Sequence, residues 1–264
     1  RFTFLILKSG SMVMCLPLLL SILFSSILAG VTYADNSALK PIPRPDHVWN
    51  NKGGETWVGR HEAIKATKSK DQVDLIFVGD SITHGWDTTG AGTKIWKQVY
   101  EPFNAVNMGF GGDRTEHVLW RLNDGELDGI SPKVAVVMIG TNNWRANTFQ
   151  EIAEGVEAVC GGLRTRLPKT KILLLAIFPR VSSDPWAGAN VVMANRLIEK
   201  LDDGKWINFL DIGSTFRDKK GRLPQEIMPD GLHPNEAGYE VWAEAIRPKL
   251  SELMGVDVPK YRSQ

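Results

Sequence analysis

Five short apolar runs, separated by stretches of helical spacing, constrain this chain more than any other feature. They are Leu75-Ile76-Phe77-Val78, Ala105-Val106-Asn107-Met108, and residues 134–139, 172–177 and 207–210. A strand with one wet face alternates polar and apolar residues. These runs do not, so each is expected to be a strand of a parallel sheet covered on both faces. Between them, Phe149, Ile152, Val156, Val159 and Leu163 fall on one helical stripe that Pro168 ends, and Ala194, Leu197, Ile198 and Leu201 form another. After Pro234, Asn235 offers an N-cap to a last helix that turns Val241, Trp242, Ala245 and Ile246 inward. Strand and helix repeated in this way predict an α/β sandwich.

The N-terminus reads differently. Arg1 and Lys8 precede an apolar run over residues 12–28 that ends near Thr32-Tyr33-Ala34, the pattern of a secretory signal peptide. Cleavage after Ala34 is expected, giving a secreted or periplasmic protein with no stable membrane span once the leader is removed. Arg1 and Lys8 are the only charges in that leader, so the formal net charge of +1 falls to −1 without it, which argues against nucleic acid as a partner. Of the two cysteines, Cys15 lies in the leader, so the mature chain keeps only Cys160, expected as a buried thiol on the helix of Val156 and Leu163. Residues 35–70 open with Pro41, Pro43 and Pro45, turn polar around Trp49 and Trp57, and read as an irregular arm with a short helix.

Functional groups of an open parallel sheet gather beyond the carboxyl ends of its strands. There the first run is followed by Gly79-Asp80-Ser81-Ile82-Thr83, the second by Gly109-Phe110-Gly111-Gly112-Asp113 and the third by Gly140-Thr141-Asn142-Asn143, with Asp230-Gly231-Leu232-His233 near the C-terminus. Each block alone has a plain reading as a turn. Together they offer a serine at a strand-to-helix turn, a glycine that lets a backbone N–H approach a ligand, an amide donor, and a carboxylate three residues from an imidazole. Thr83 replaces the second glycine of the G-x-S-x-G elbow, and the Gly109 cluster lacks the third glycine of a dinucleotide loop.

These four blocks, in this order, resemble the SGNH or GDSL-like hydrolase superfamily. Residues 107–143, with Gly-Gly-Asp-Arg-Thr and Val118-Leu119-Trp120-Arg121-Leu122, look especially like its platelet-activating-factor acetylhydrolase branch and the bacterial relatives of that branch. The similarity covers roughly residues 73–250, with Ile82 where the GDSL name has Leu. The resemblance implies a flavodoxin-like three-layer α/β/α sandwich with a five-stranded parallel sheet, residues 71–264 forming the hydrolase domain. It implies an esterase with Ser81 as nucleophile, His233 as base and Asp230 completing a triad. Its oxyanion hole would be built from Ser81, Gly112 (with Gly111 the fallback) and Asn142, without metal or cofactor.

The expected partner is a small-molecule or glycan ester, first an acetylated carbohydrate and second a short-chain lipid ester. A glycan-binding module that kept the fold without catalysis is the reading of another class, and the resemblance allows a homodimer. Trp86, Phe110, Trp144, Arg180 and Trp186 follow motif-bearing strands and are candidates for the substrate pocket. His47, His61, His84 and His117 show no metal-ligand spacing; His84 draws notice for its closeness to Ser81.

Overall fold

A computed structural model describes residues 36–45, 56–66, 72–86 and 90–263. The leader lies outside the described residues, as do Trp49 and His47.

The five apolar runs are five parallel strands: β1 (Leu75–Gly79), β2 (Val106–Gly109), β3 (Val134–Met138), β4 (Lys171–Leu175) and β5 (Ile207–Leu210). Their order is β2-β1-β3-β4-β5, the doubly wound order of flavodoxin-like sheets. Gly79 pairs with Gly109 on one side and Met138 on the other, so β1 sits where the winding reverses. A crevice opens there beyond the strand ends.

Helices cover both faces. They are α1 (Trp57–Ala66), α2 (Ser81–His84), α3 (Thr93–Val99), α4 (Thr115–Asn123), α5 (Phe149–Arg166), α6 (Pro185–Ile198) and α7 (Glu236–Met254). Successive strand residues point to opposite faces. Ile76, Val78, Ala135, Val137, Ile172 and Leu174 therefore pack with Trp57, Val118, Ile152, Val156, Leu163, Ala194 and Ile198. Leu75, Phe77, Val134, Val136, Leu173 and Leu175 face the other way, onto Ile95, Trp96, Tyr239, Trp242, Ile246 and Leu250. This is a three-layer sandwich with one core on each side of the sheet.

Local signals set the helix ends. Thr148 and Glu151 close a capping box at the start of α5, and Asn235 accepts from the Gly238 N–H at the start of α7. Cys160 is buried on α5, and burial pushes its thiol up to about 12, out of reach of thiolate chemistry. The segment before β1 contains a short helix, α1. Residues 37–39 form a single 3-10 turn, and the Trp57 side chain of α1 has no exposed surface. No helix among the described residues is long and apolar enough to cross a membrane.

Candidate active site

Ser81 opens α2 directly after β1, with the Asp80 carboxylate capping the helix by accepting from the Ile82 N–H at 2.9 Å. Because Asp80 serves Ile82, the Ser81 N–H at the first turn has no partner within the helix. Tyr239 of α7 donates to the Ile82 carbonyl at 2.6 Å and ties this turn to the core.

The Ser81 Oγ lies 2.9 Å from His233 Nε2, and His233 Nδ1 lies 2.6 Å from Asp230 Oδ2. The second Asp230 oxygen accepts from the N–H groups of Leu232 at 2.9 Å and His233 at 2.7 Å. Partial burial pushes the Asp230 carboxyl up, but these N–H groups and the imidazole outweigh it and hold the group below the usual carboxylate range. Gly231 takes φ +71°, and its carbonyl accepts from the Val181 N–H at 2.8 Å. A Cβ at Gly231 would lie 2.7 Å from the Val181 Cβ, so glycine alone lets this loop close onto the segment after β4.

The loop after β2 lies beside the end of β1, with the Phe110 N–H donating to the Gly79 carbonyl at 3.1 Å. Gly112 has φ +72°. Asn142 donates one amide hydrogen to the Asp113 carbonyl at 2.9 Å, which orients the amide and leaves its second hydrogen for an incoming acceptor. The Asp113 carboxylate is fully buried and accepts from Trp57 Nε1 at 2.7 Å and Arg121 Nε at 3.0 Å. Arg121 reaches on to Glu126, Arg60 donates to the Gly109 carbonyl at 2.9 Å, and Arg44 donates to the Gly111 carbonyl. The guanidiniums of Arg121 and Arg60 lie 3.9 and 5.3 Å from the centre of the Phe110 ring.

His84 belongs to this scaffold. Its Nδ1 accepts from the Gly111 N–H at 3.2 Å, and burial, then Arg60 and Arg121, lower its pKa to about 3. It is a fixed neutral acceptor and does not compete with His233 for the serine proton.

Asp80 carries an electrostatic cost. Burial raises its pKa to about 7, against the pull of the Ile82 N–H, and its Oδ2 has no hydrogen-bond partner among the described residues. The folded protein thus holds this proton more tightly than the unfolded chain, and the carboxyl lowers stability as pH rises from 3.8 to about 7. Burial likewise raises Asp113 to about 6, so two groups share the slope. Asp80→Asn keeps a cap acceptor and is expected to flatten the fall in Tm between about pH 4 and pH 8. An equal fall in both proteins would show that the slope has another source.

The rim residues divide. Trp86 and Phe110 were expected in the pocket, and the structure corrects this: both have no exposed surface. Trp86 packs among Tyr239, Trp242 and Tyr100, and Phe110 among Trp57 and the two arginines. Trp144 is half-buried, with the Arg145 and Arg180 guanidiniums 4.9 and 5.4 Å from its ring centre. Arg180 is anchored on the Thr141 carbonyl at 2.9 Å, and Trp186, at the start of α6, is 71% exposed. Elsewhere, His61, Glu62 and Asp124 bring ligand-type atoms within 4.8 Å of one another, a grouping that sequence spacing did not suggest. Lys65, 3.0 Å from both carboxylates, already supplies the positive charge there.

Sequence reasoning missed the scaffold of Trp57, Arg60 and Arg121. The one signal for it was Arg121 set among the apolar residues Val118, Leu119, Trp120 and Leu122.

Residues 77–241, which contain all four blocks, match the GDSL-like lipase/acylhydrolase family. Over 215 residues the chain is 33% identical to the platelet-activating factor acetylhydrolase IB subunit alpha2 of Homo sapiens, covering 81% of this chain and 92% of that subunit. Among solved structures, a GDSL-like lipase from Bacteroides thetaiotaomicron superposes with TM-score 0.62 at 19% identity, covering 73% of this chain and 96% of that one. An acetylxylan esterase from Geobacillus stearothermophilus does so with TM-score 0.52 at 19% identity, covering 75% and 100%. At such identities these two likenesses speak for the fold, and the family match and the acetylhydrolase relative carry the assignment. The chain belongs to the GDSL-like lipase/acylhydrolase family and is a carboxylic ester hydrolase.

Proposed function

We propose that this protein removes short acyl groups, acetyl above all, from a carbohydrate ester through a Ser81 acyl-enzyme. The observation that carries the reading is the unbroken chain from Ser81 Oγ through His233 to Asp230, at 2.9 and 2.6 Å. Ser81 attacks the ester carbonyl while His233 Nε2 takes its proton. Asp230 holds the tautomer with the proton on Nδ1 and balances the imidazolium that forms. The N–H groups of Ser81 and Gly112 and the free hydrogen of Asn142 meet the developing oxyanion. Collapse expels the alcohol with the proton from His233. Water, activated by the same imidazole, then releases the acid and restores Ser81.

Acetyl selectivity is supported by the relatives, since both an acetylhydrolase subunit and an acetylxylan esterase resemble this chain. A sugar alcohol is supported by the rim, where Trp144 and Trp186 keep exposed aromatic surface of the kind that stacks on the apolar face of a ring. The leader pattern of residues 1–34 supports action outside the cytoplasm. A short-chain lipid ester is the second reading, favoured by the 33% identity to the acetylhydrolase subunit.

A fluorophosphonate probe is expected to label Ser81, and p-nitrophenyl esters are expected to turn over fastest as acetate, with acetylated xylo-oligosaccharides hydrolysed in parallel. Labelling without any sugar deacetylation would move the assignment to lipid esters. Absence of a Ser81 adduct would leave a binding module in place of an enzyme of this mechanism.

A further inference from the structure

We infer that Arg44 is a positioning residue of the oxyanion hole, setting the Gly111–Gly112 peptide so that its N–H points at the reacting carbonyl. The inference rests on the site assignment proposed above and adds a residue outside the family match, which begins at residue 77.

A peptide unit is planar, so its carbonyl and its N–H are two ends of one rigid plate. The Gly112 N–H shares its plate with the Gly111 carbonyl, and Arg44 donates to that carbonyl. Both flanking residues are glycine, which restricts rotation of this plate least of all residue types. An external hold is therefore needed to choose one orientation. The plates on either side have theirs: the Gly111 N–H is bound to His84 Nδ1 at 3.2 Å, and the Asp113 N–H donates to the Phe110 carbonyl at 3.1 Å. Arg44 supplies the hold for the plate between them. Its guanidinium also occupies the space that a Cβ on Gly112 would need, so glycine at this position lets the arginine sit against the loop.

The charge matters as well as the contact. A cationic donor on a carbonyl strengthens the bond and draws electron density from the whole amide, making the N–H at the far end a better donor. Arg44 has no acidic partner among the described residues, so its charge is not spent on a salt bridge.

The backbone that delivers Arg44 is fixed. Asn36 donates to Glu154 at 2.7 Å, Ser37 Oγ accepts from Asn147 at 3.0 Å, and the Ala38 carbonyl accepts from Thr115 at 3.0 Å. The Ile42 N–H reaches the Glu116 carbonyl at 3.3 Å. Residues 36–42 are thus strapped across α4 and α5, and the strap ends with Arg44 at the glycine loop.

The test is steady-state kinetics of Arg44→Met, Arg44→Ala and Arg44→Lys on p-nitrophenyl acetate, with Ser81→Ala as control. Arg44→Met is expected to lose about 10-fold to 100-fold in kcat with KM within about twofold, as for a misaimed donor. Arg44→Lys should recover part of the loss, as should guanidinium ion added to Arg44→Ala well below denaturing concentration. Affinity for a boronic acid that mimics the tetrahedral adduct should fall by the same factor as kcat, with Tm little changed. A full kcat in Arg44→Met, a rise in KM alone, or faster turnover on removing the side chain would each overturn the inference. If Ser81→Ala hydrolyses normally, the site assignment itself fails, whatever Arg44 does.

Discussion

Alanine at position 81 is expected to lower kcat for ester hydrolysis by about 10⁶, the scale on which a serine nucleophile fails when its attacking oxygen is removed. The prediction follows from geometry, since Ser81 Oγ lies 2.9 Å from His233 Nε2 and stands at the end of β1 among the proposed oxyanion donors. Stability should scarcely move. The hydroxyl makes one hydrogen bond to a half-exposed imidazole, worth about 1 kcal/mol, and the cap at Asp80 does not involve it. Kinetics over a wide enzyme range, with Tm measured in parallel, would check both halves. Activity within tenfold of wild type in Ser81→Ala would remove the nucleophile from the mechanism.

Asp230→Asn is the second large effect, expected at about 10⁴ in kcat. The substitution keeps shape and one oxygen, which can still accept from the Leu232 and His233 N–H groups, so the loop should hold its form. The amide NH₂ then faces His233 Nδ1 in place of a carboxylate oxygen. Two donors cannot share that bond, so the imidazole moves its proton to Nε2, the atom that must accept from Ser81. The loss should fall on kcat, with Tm close to wild type. A tenfold effect or less would mean that Asp230 only orients the loop.

Much of this was legible in the sequence, for identifiable reasons. A sheet covered on both faces writes its strands as unbroken apolar runs, and all five were visible, with edges off by one or two residues where Ala105, Ile139, Ala176 and Ile177 fall outside β2, β3 and β4. The stripes of α5 and α7 were visible because one side of each helix meets water. The four polar blocks stood out because they follow strand ends, where a parallel sheet exposes its chemistry.

What escaped notice depends on contacts between distant residues. Nothing in a polar segment with an isolated Trp57 says that its indole reaches a carboxylate 56 positions later. Arg60 and Arg121 drew no role from the sequence and are buried, one on the Gly109 carbonyl and the other on Asp113. Trp86 looked like a rim residue because it follows Ser81 closely, yet α2 is only one turn long and returns the chain to the aromatic core. Position in a motif indicates closeness to the site, but not which way a side chain turns.

The two halves of the reacting pair are rooted at very different depths. The serine rises from a central strand beneath packed aromatics, whereas its imidazole and carboxylate ride on a surface loop, 43% and 56% exposed. A molecule divided in this way can diversify unevenly. Substitutions around the outer loop that spare Asp230, Gly231 and His233 are expected to cost little stability, while the inner turn tolerates almost none.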